Sequence, residues 1–164
     1  MSKIRNFETE AAFVQAFISK LQTGRTDFGR VQLATEWPYS SGSVDVLART
    51  RNDELVAIEA KLADWRSAFF QAYRSTAYAD HAYVLLPEVI AHRAERNRDE
   101  FCFRGVGLCA FDGRTIRVII KSIAQNPLMP WVNERAHAHF DEQYAPRSRN
   151  TRLRSDQFVS AARL

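Results

Sequence analysis

Between residues 7 and 22 the apolar positions recur at helical spacing. Phe13, Phe17 and Leu21 fall on one stripe, with Val14 and Ile18 beside them. Asn6 is the expected N-cap and Thr23-Gly24 the expected stop. The period then changes. Residues 31–39, 43–50 and 54–62 read as three strands, the first closed by Pro38 and by Ser40-Ser41-Gly42. The short Arg51-Asn52-Asp53 link makes the second and third strands a hairpin. Asp64 is a good N-cap for a helix over 64–79, whose buried stripe is Trp65, Phe69, Ala72 and Thr76. Residues 82–86 read as a short buried strand closed by Pro87, and 88–98 as a basic helix with His92, Arg93, Arg96 and Arg98. Residues 106–111 and 115–121 form a second hairpin around Asp112-Gly113, a type I′ turn signal. A weaker helix covers 131–143. A hairpin followed by a helix and a returning strand implies a mixed sheet flanked by helices, an α/β class that some schemes call α+β.

Composition narrows the class. The chain has 164 residues, room for one domain. A chain of that size buries roughly 70% of its unfolded surface. With 3 Trp, 5 Tyr and 11 Phe it has a packing core, which excludes disorder as the dominant state. No apolar run approaches the length of a membrane span. The N-terminus runs into a charged amphipathic segment, where a signal peptide would have an apolar run. Two Cys give neither a disulfide framework nor a zinc cluster, so a reducing cytoplasm is expected, with Cys102 and Cys109 as core thiols. His137 and His139 are two apart and do not share a helix face, which favours a solvated helix over a metal site.

The net charge of +4 is unevenly placed. Lysine occurs only at 3, 20, 61 and 121; the other basic residues are Arg. Residues 144–164 hold Arg147, Arg149, Arg152, Arg154 and Arg163 against one acid, Asp156. That segment therefore carries the whole net charge, and residues 1–143 balance to zero. The chain reads as one domain over 1–143 followed by a basic tail. Arg suits bidentate phosphate contact, so a polyanion is the implied partner.

The residues that carry chemistry lie on the first hairpin. Glu59 and Lys61 are two apart in a strand and project together. A two-residue turn at Asn52-Asp53 would pair positions summing to 105 and set Asp45 opposite Ala60; the favoured three-residue loop at 51–53 pairs positions summing to 104 and sets Asp45 opposite Glu59. It also sets Val44, Val46, Ala48, Val56, Ile58 and Ala60 on one apolar face, leaving Asp45, Glu59 and Lys61 on the other with Leu47 and Ala57. An exposed Glu–Lys pair is worth only about 0–1 kcal/mol. Here, however, residues 55–58 are all apolar and argue for a central strand. Two carboxylates inside a sheet repel unless a proton or cation lies between them. A hard divalent ion, Mg²⁺ or Mn²⁺, supplies that charge and accepts oxygen ligands. Such an ion polarises a phosphate oxygen and acidifies a water, and a nearby ammonium steadies the charge that develops. This is the equipment of phosphodiester hydrolysis. Trp37 and Tyr39 could stack on bases, although core packing also explains them.

Asp45, thirteen intervening residues and Glu59-Ala60-Lys61, set in helix–three strands–helix–strand order, resemble the PD-(D/E)XK nuclease superfamily. The resemblance covers residues 7–86. It implies a restriction-endonuclease-like αβββαβ core, with Asp45 and Glu59 as metal ligands and Lys61 serving the attacking water. It further implies that Glu10, or failing it Glu8, completes the metal site, and that Gln71 points at the site from the following helix. Val44 stands where the motif is named for Pro. The implied partner is nucleic acid, DNA first, with a homodimer or second protein supplying any strict sequence specificity, since no separate recognition domain is visible. The alternative is a nuclease fold that holds nucleic acid or protein without turnover, as in a module of phage or mobile-element origin.

The candidate nucleic-acid contacts are Arg93, Arg96, Arg147, Arg149, Arg152 and Arg154. Each phosphate neutralised on duplex DNA steepens the fall of log affinity against log salt by about 0.9. Deleting 144–164 is expected to weaken DNA binding and flatten that slope by roughly 2 to 4 units, measured by titration across a salt series. An unchanged slope would leave the tail only a solubilising role.

Overall fold

The computed structural model describes residues 6–146. Its elements are α1 (Glu10–Gln22), β1 (Val31–Tyr39), β2 (Gly42–Thr50), β3 (Leu55–Ala60), α2 (Trp65–Ser75), β4 (His81–Pro87), α3 (Glu88–Glu95), α4 (Arg98–Arg104), β5 (Gly107–Phe111), β6 (Ile116–Ile120) and α5 (Pro130–Gln143). The strands form one six-stranded mixed sheet in sequence order, antiparallel from β1 to β3, parallel from β3 to β5 and antiparallel again at β6. The architecture is α/β, with helices on both faces, and its first six elements run in the expected order helix, three strands, helix, strand.

Every residue of β3 is buried, as a strand covered on both faces requires. On one face α1 seats Phe13, Phe17, Ile18 and Leu21 against Val46, Val56, Ile58, Leu85 and Phe111. Phe111 is the hub, its ring 5.7 Å from Phe13 and 5.9 Å from Phe17. On the other face α2 to α5 pack Phe69, Phe101, Val132 and Phe140 against Leu47, Leu55, Val84 and Leu108. Asp80 ties this layer together, its Oδ2 accepting from Leu55 N–H at 2.7 Å and its carbonyl from Gln125 N–H at 2.8 Å. Gly107 is required by close approach: a Cβ there would lie 2.2 Å from the Tyr83 ring.

The expected hairpin register is observed. Val46↔Ile58, Leu47↔Ala57 and Ala48↔Val56 all sum to 104, and Asp53 closes the loop at φ +62, which Asp tolerates. Several expectations need correction. α1 begins three residues later than expected, because Thr9 and not Asn6 is the cap; its Oγ1 accepts from Ala12 N–H at 3.1 Å. The basic helix is two helices, broken at Asn97 and stopped by Gly105 at φ +71, so the Arg98–Arg104 helix was missed. The second hairpin is not type I′: Gly113 has φ +92 but Asp112 does not enter positive φ, its carboxylate instead accepting from Arg114 and Thr115 N–H. Val44 joins the α2-side core and not the face of Val46. Cys109 is buried but Cys102 is exposed.

Arg147, Arg149, Arg152 and Arg154 lie outside the described residues. Tyr144, the first residue of the expected tail, is docked on β1: its hydroxyl accepts from Leu33 N–H at 3.0 Å and donates to Leu33 O at 3.2 Å. A truncation that spares the fold therefore begins after residue 146. Among the described residues no helix is long and apolar enough to cross a membrane.

Truncating Phe17, fully buried between α1 and the sheet, removes one of the rings that hold α1 in place. Phe17→Ala is expected to cost about 3–5 kcal/mol, read as a lowered denaturant midpoint at unchanged m-value.

Candidate functional site

The site forms where β2 and β3 part. Their ladder ends at Val46↔Ile58. Beyond it the Ala60 N–H has no strand carbonyl, and Asp45 Oδ2 accepts from it at 2.9 Å. On its other side Asp45 lies across from Glu36, whose backbone is left-handed at φ +48, and the β1–β2 ladder skips this pair between Thr35↔Val46 and Trp37↔Val44. That irregularity takes Val44 out of the face of Val46 and lets Asp45 line a cleft against α1. The cleft, about 360 Å³, is bordered by Glu10, Gln15, Thr35, Glu36, Asp45 and Ala60.

Among the described residues Glu59 is the only charged one in the core, 2% exposed, and its Oε1 has no hydrogen-bond partner. Burial, then the neighbouring Asp45 carboxylate, push its pKa up to about 8, with Lys61 and Arg74 pulling weakly the other way. At neutral pH without a cation the group is therefore mostly protonated. Lys61 follows at the end of β3, its N–H donating to Leu85 O at 3.2 Å and its Nζ to Glu10 Oε2 at 3.1 Å. Partial burial lowers the Lys61 pKa, but the hydrogen bond and charge of Glu10, with Asp45 and Glu59, outweigh this and hold the ammonium above its usual value. Lys61 is thus a cationic donor here and not a base.

The structure brings Glu10, Asp45, Glu59 and Lys61 to one place, drawn from α1, β2 and β3. Gln71 lies on α2, where its backbone carbonyl accepts from Ser75 Oγ at 3.4 Å. One turn on, Arg74 acts by its charge on Glu59 and on Tyr39, and the sequence reading missed it. Its position three after Gln71 on the same helix face was the available signal. Arg93 is exposed on α3, with Arg96 exposed at its C-cap. Their neighbours are less basic than they read, since Arg98 is paired to Glu95 at 2.7 Å and Arg117 to Glu88. Trp37 is buried beside Tyr78, with Arg135 stacked 5.0 Å over its ring, so it packs the core. His137 faces Asp53 at 3.4 Å near the far end of the hairpin. A second cleft of about 400 Å³ at that end, between Arg30, Arg49, Asp53 and Asp141, is internally ion-paired, Arg49 holding Asp141 at 2.7 Å.

The donor set suits a hard divalent cation. A buried carboxylate oxygen without a partner lies beside a second carboxylate, and Mg²⁺ needs only one or two protein carboxylates, keeping waters for its other positions. Among the described residues no group of three His, Cys, Asp or Glu side chains is placed to hold a metal ion, and Glu10, expected to complete the site, is paired with Lys61 instead. Such an ion would sit on Asp45 and Glu59, displacing the Glu59 proton.

Because the folded-state pKa of Glu59 is raised, the native protein holds a proton that the unfolded chain loses. The stability this gives is full below the ordinary Glu pKa of 4.5 and is lost as pH rises towards about 8. In chelator, unfolding free energy is expected to fall over that interval with a slope of up to about 1.4 kcal/mol per pH unit from this group. Glu59→Gln should remove that component, read by denaturant titration at several pH values. Equal slopes in both proteins would place the buried proton elsewhere.

No protein-family model matches the sequence, and no curated protein matches it. Among solved structures, the fold is similar to a protein of unknown function from Silicibacter pomeroyi, with TM-score 0.58 and 13% identity over 79% of this chain and 82% of that one. A repair endonuclease from Pyrococcus abyssi gives TM-score 0.45 and 17% identity, over 66% of this chain and 50% of the other. The first likeness supports the fold.

Proposed function

We propose that the chain is a divalent-metal-dependent nuclease that hydrolyses phosphodiester bonds in DNA. The observation that carries this reading is the buried, unpartnered Glu59 carboxylate beside Asp45, with Lys61 two residues on and tied to Glu10. A buried carboxylate beside a second, half-buried one destabilises a fold when both are charged, and a cation relieves it. Mg²⁺ or Mn²⁺ on Asp45 and Glu59 would supply Lewis acidity to a phosphate oxygen and lower the pKa of a bound water. The chain's own residues do the rest. Asp45 is held by the Ala60 N–H, so its free oxygen is presented in a fixed direction. Glu59, enclosed by the sheet, excludes bulk water from its side of the site. Lys61 orients the attacking water and offsets the negative charge that grows on the phosphoryl group. Glu10 holds the ammonium in position. Gln71 and Arg74, both on α2, would meet incoming phosphate, Arg74 by the same charge that acts on Glu59.

Supercoiled, linear, single-stranded and branched DNA, each incubated with Mg²⁺, Mn²⁺ or chelator, tests the reading directly. Cleavage is expected only with the ion. Asp45→Ala and Glu59→Ala should abolish it and erase the rise in melting temperature that saturating Mg²⁺ gives by binding the native state. Lys61→Ala should slow cleavage by about 10²–10³-fold while keeping the thermal shift. Near-wild-type hydrolysis by Glu59→Ala, or a melting curve indifferent to Mg²⁺, would overturn the assignment.

A further inference from the structure

The outer face of α2 has a pattern that its core contacts do not explain. Ala68, Phe69, Ala72 and Ser75 are the buried residues that seat the helix on the sheet. Arg66, Phe70, Tyr73 and Arg74, spaced i, i+4, i+7, i+8, form a second stripe on the opposite face. Phe70 is 52% exposed and Tyr73 37%. The band continues onto α4, where the Arg104 guanidinium stacks 4.6 Å over the Tyr73 ring and Phe103 is exposed. At its start Arg66 stacks 4.5 Å over Trp65. α2 contains no acidic residue, and its cap Asp64 is engaged with Ser67 N–H. Among the described residues neither Arg66 nor Arg74 makes an ion pair. At the other edge of the stripe Arg74 is near enough for its charge to act on Glu59 and Tyr39, so this end of the band lies towards the candidate site.

Exposed rings alternating with unpaired guanidinium groups match a polyanion whose flat bases are free to stack. Intact duplex hides those base faces. A second copy of the chain would bring two cationic stripes face to face, which repel. We propose that this face of α2 binds an unpaired nucleic-acid strand near the site, with bases stacked on Phe70 and on the face of Tyr73 away from Arg104 and phosphates held by Arg66 and Arg74, so that the substrate class is DNA with unpaired nucleotides. The proposal rests on the nuclease reading, and it deepens it.

The test is fluorescence anisotropy of a labelled single-stranded oligonucleotide and of its duplex, in chelator so that nothing is cleaved, with the full chain. The wild type should bind the single strand more tightly. Phe70→Ala and Tyr73→Ala should each weaken single-strand binding at least about fivefold and leave duplex binding unchanged. Phe70→Leu, which keeps apolar area without the ring, should lose nearly as much. Val89→Ala, at an exposed apolar position on α3, should change nothing. Arg66→Gln with Arg74→Gln should lower the single-strand salt slope by about 0.7 per phosphate lost. Equal affinity for both forms, or full affinity in Phe70→Ala, overturns the proposal. So does a dimer in sedimentation that Phe70→Ala dissociates at unchanged DNA affinity. Absence of cleavage in Mg²⁺ with the single-strand preference intact would instead defeat the nuclease reading alone.

Discussion

The constraint on which the rest depends is a carboxylate in the centre of a sheet. β3 is covered on both sides, and five of its six residues are apolar. Leaving Glu59 there costs several kcal/mol unless the group is neutral or paired. The fold keeps it neutral, by a proton in the metal-free state, and leaves Oε1 open. Everything nearby is arranged around that open valence. β2 separates from β3 at the one point where Asp45 can reach it, and Asp45 compensates the broken ladder by taking the Ala60 N–H.

The two helical layers serve this point in different ways. α1, fixed by a cluster of aromatic rings on Phe111, delivers Glu10 to Lys61. α2 packs on the opposite face and brings the Arg74 charge within reach of Glu59. A residue on each side of the sheet thus reaches the same strand end, which is possible only because the site is at the end of β3 and not in its middle. The parallel pairing of β3 with β4 leaves Lys61 anchored through Leu85 while its side chain is free to face α1.

Much of this was legible in the sequence, and for a physical reason. Period-two alternation and a three-residue loop define a register, so the 104 sum could be read from residue types, although the ladder stops at Val46↔Ile58, one pair short of Asp45 and Glu59. The cap at Asp64 and the termini of β1 were legible for the same local reasons. What was not legible came from tertiary context. The left-handed Glu36 opposite Asp45 moves Val44 to the other core, and nothing in the strand pattern signals it. Asn97 breaks a basic run that carries helical spacing on both sides. Thr9 outcompeted Asn6 as a cap because α1 must place Phe13 on Phe111. Arg74 was overlooked because charge on a helix usually means solvent.

The docking of Tyr144 on Leu33 has a consequence for assembly. β1 is an outer strand, and its free N–H and C=O groups are the template on which another chain would add a strand. Tyr144 occupies both main-chain groups of Leu33 with one hydroxyl. Arg135 caps the Pro38 carbonyl at 2.8 Å, and Pro38 itself has no N–H to offer. Among the described residues, α5 and its cap thus occupy outward main-chain groups of β1 at two points, which hinders strand addition or domain swapping on that side while α5 is in place. Loss of α5, by proteolysis or by a premature stop, would expose a sticky ribbon and turn a well-behaved fold into a seed for aggregation.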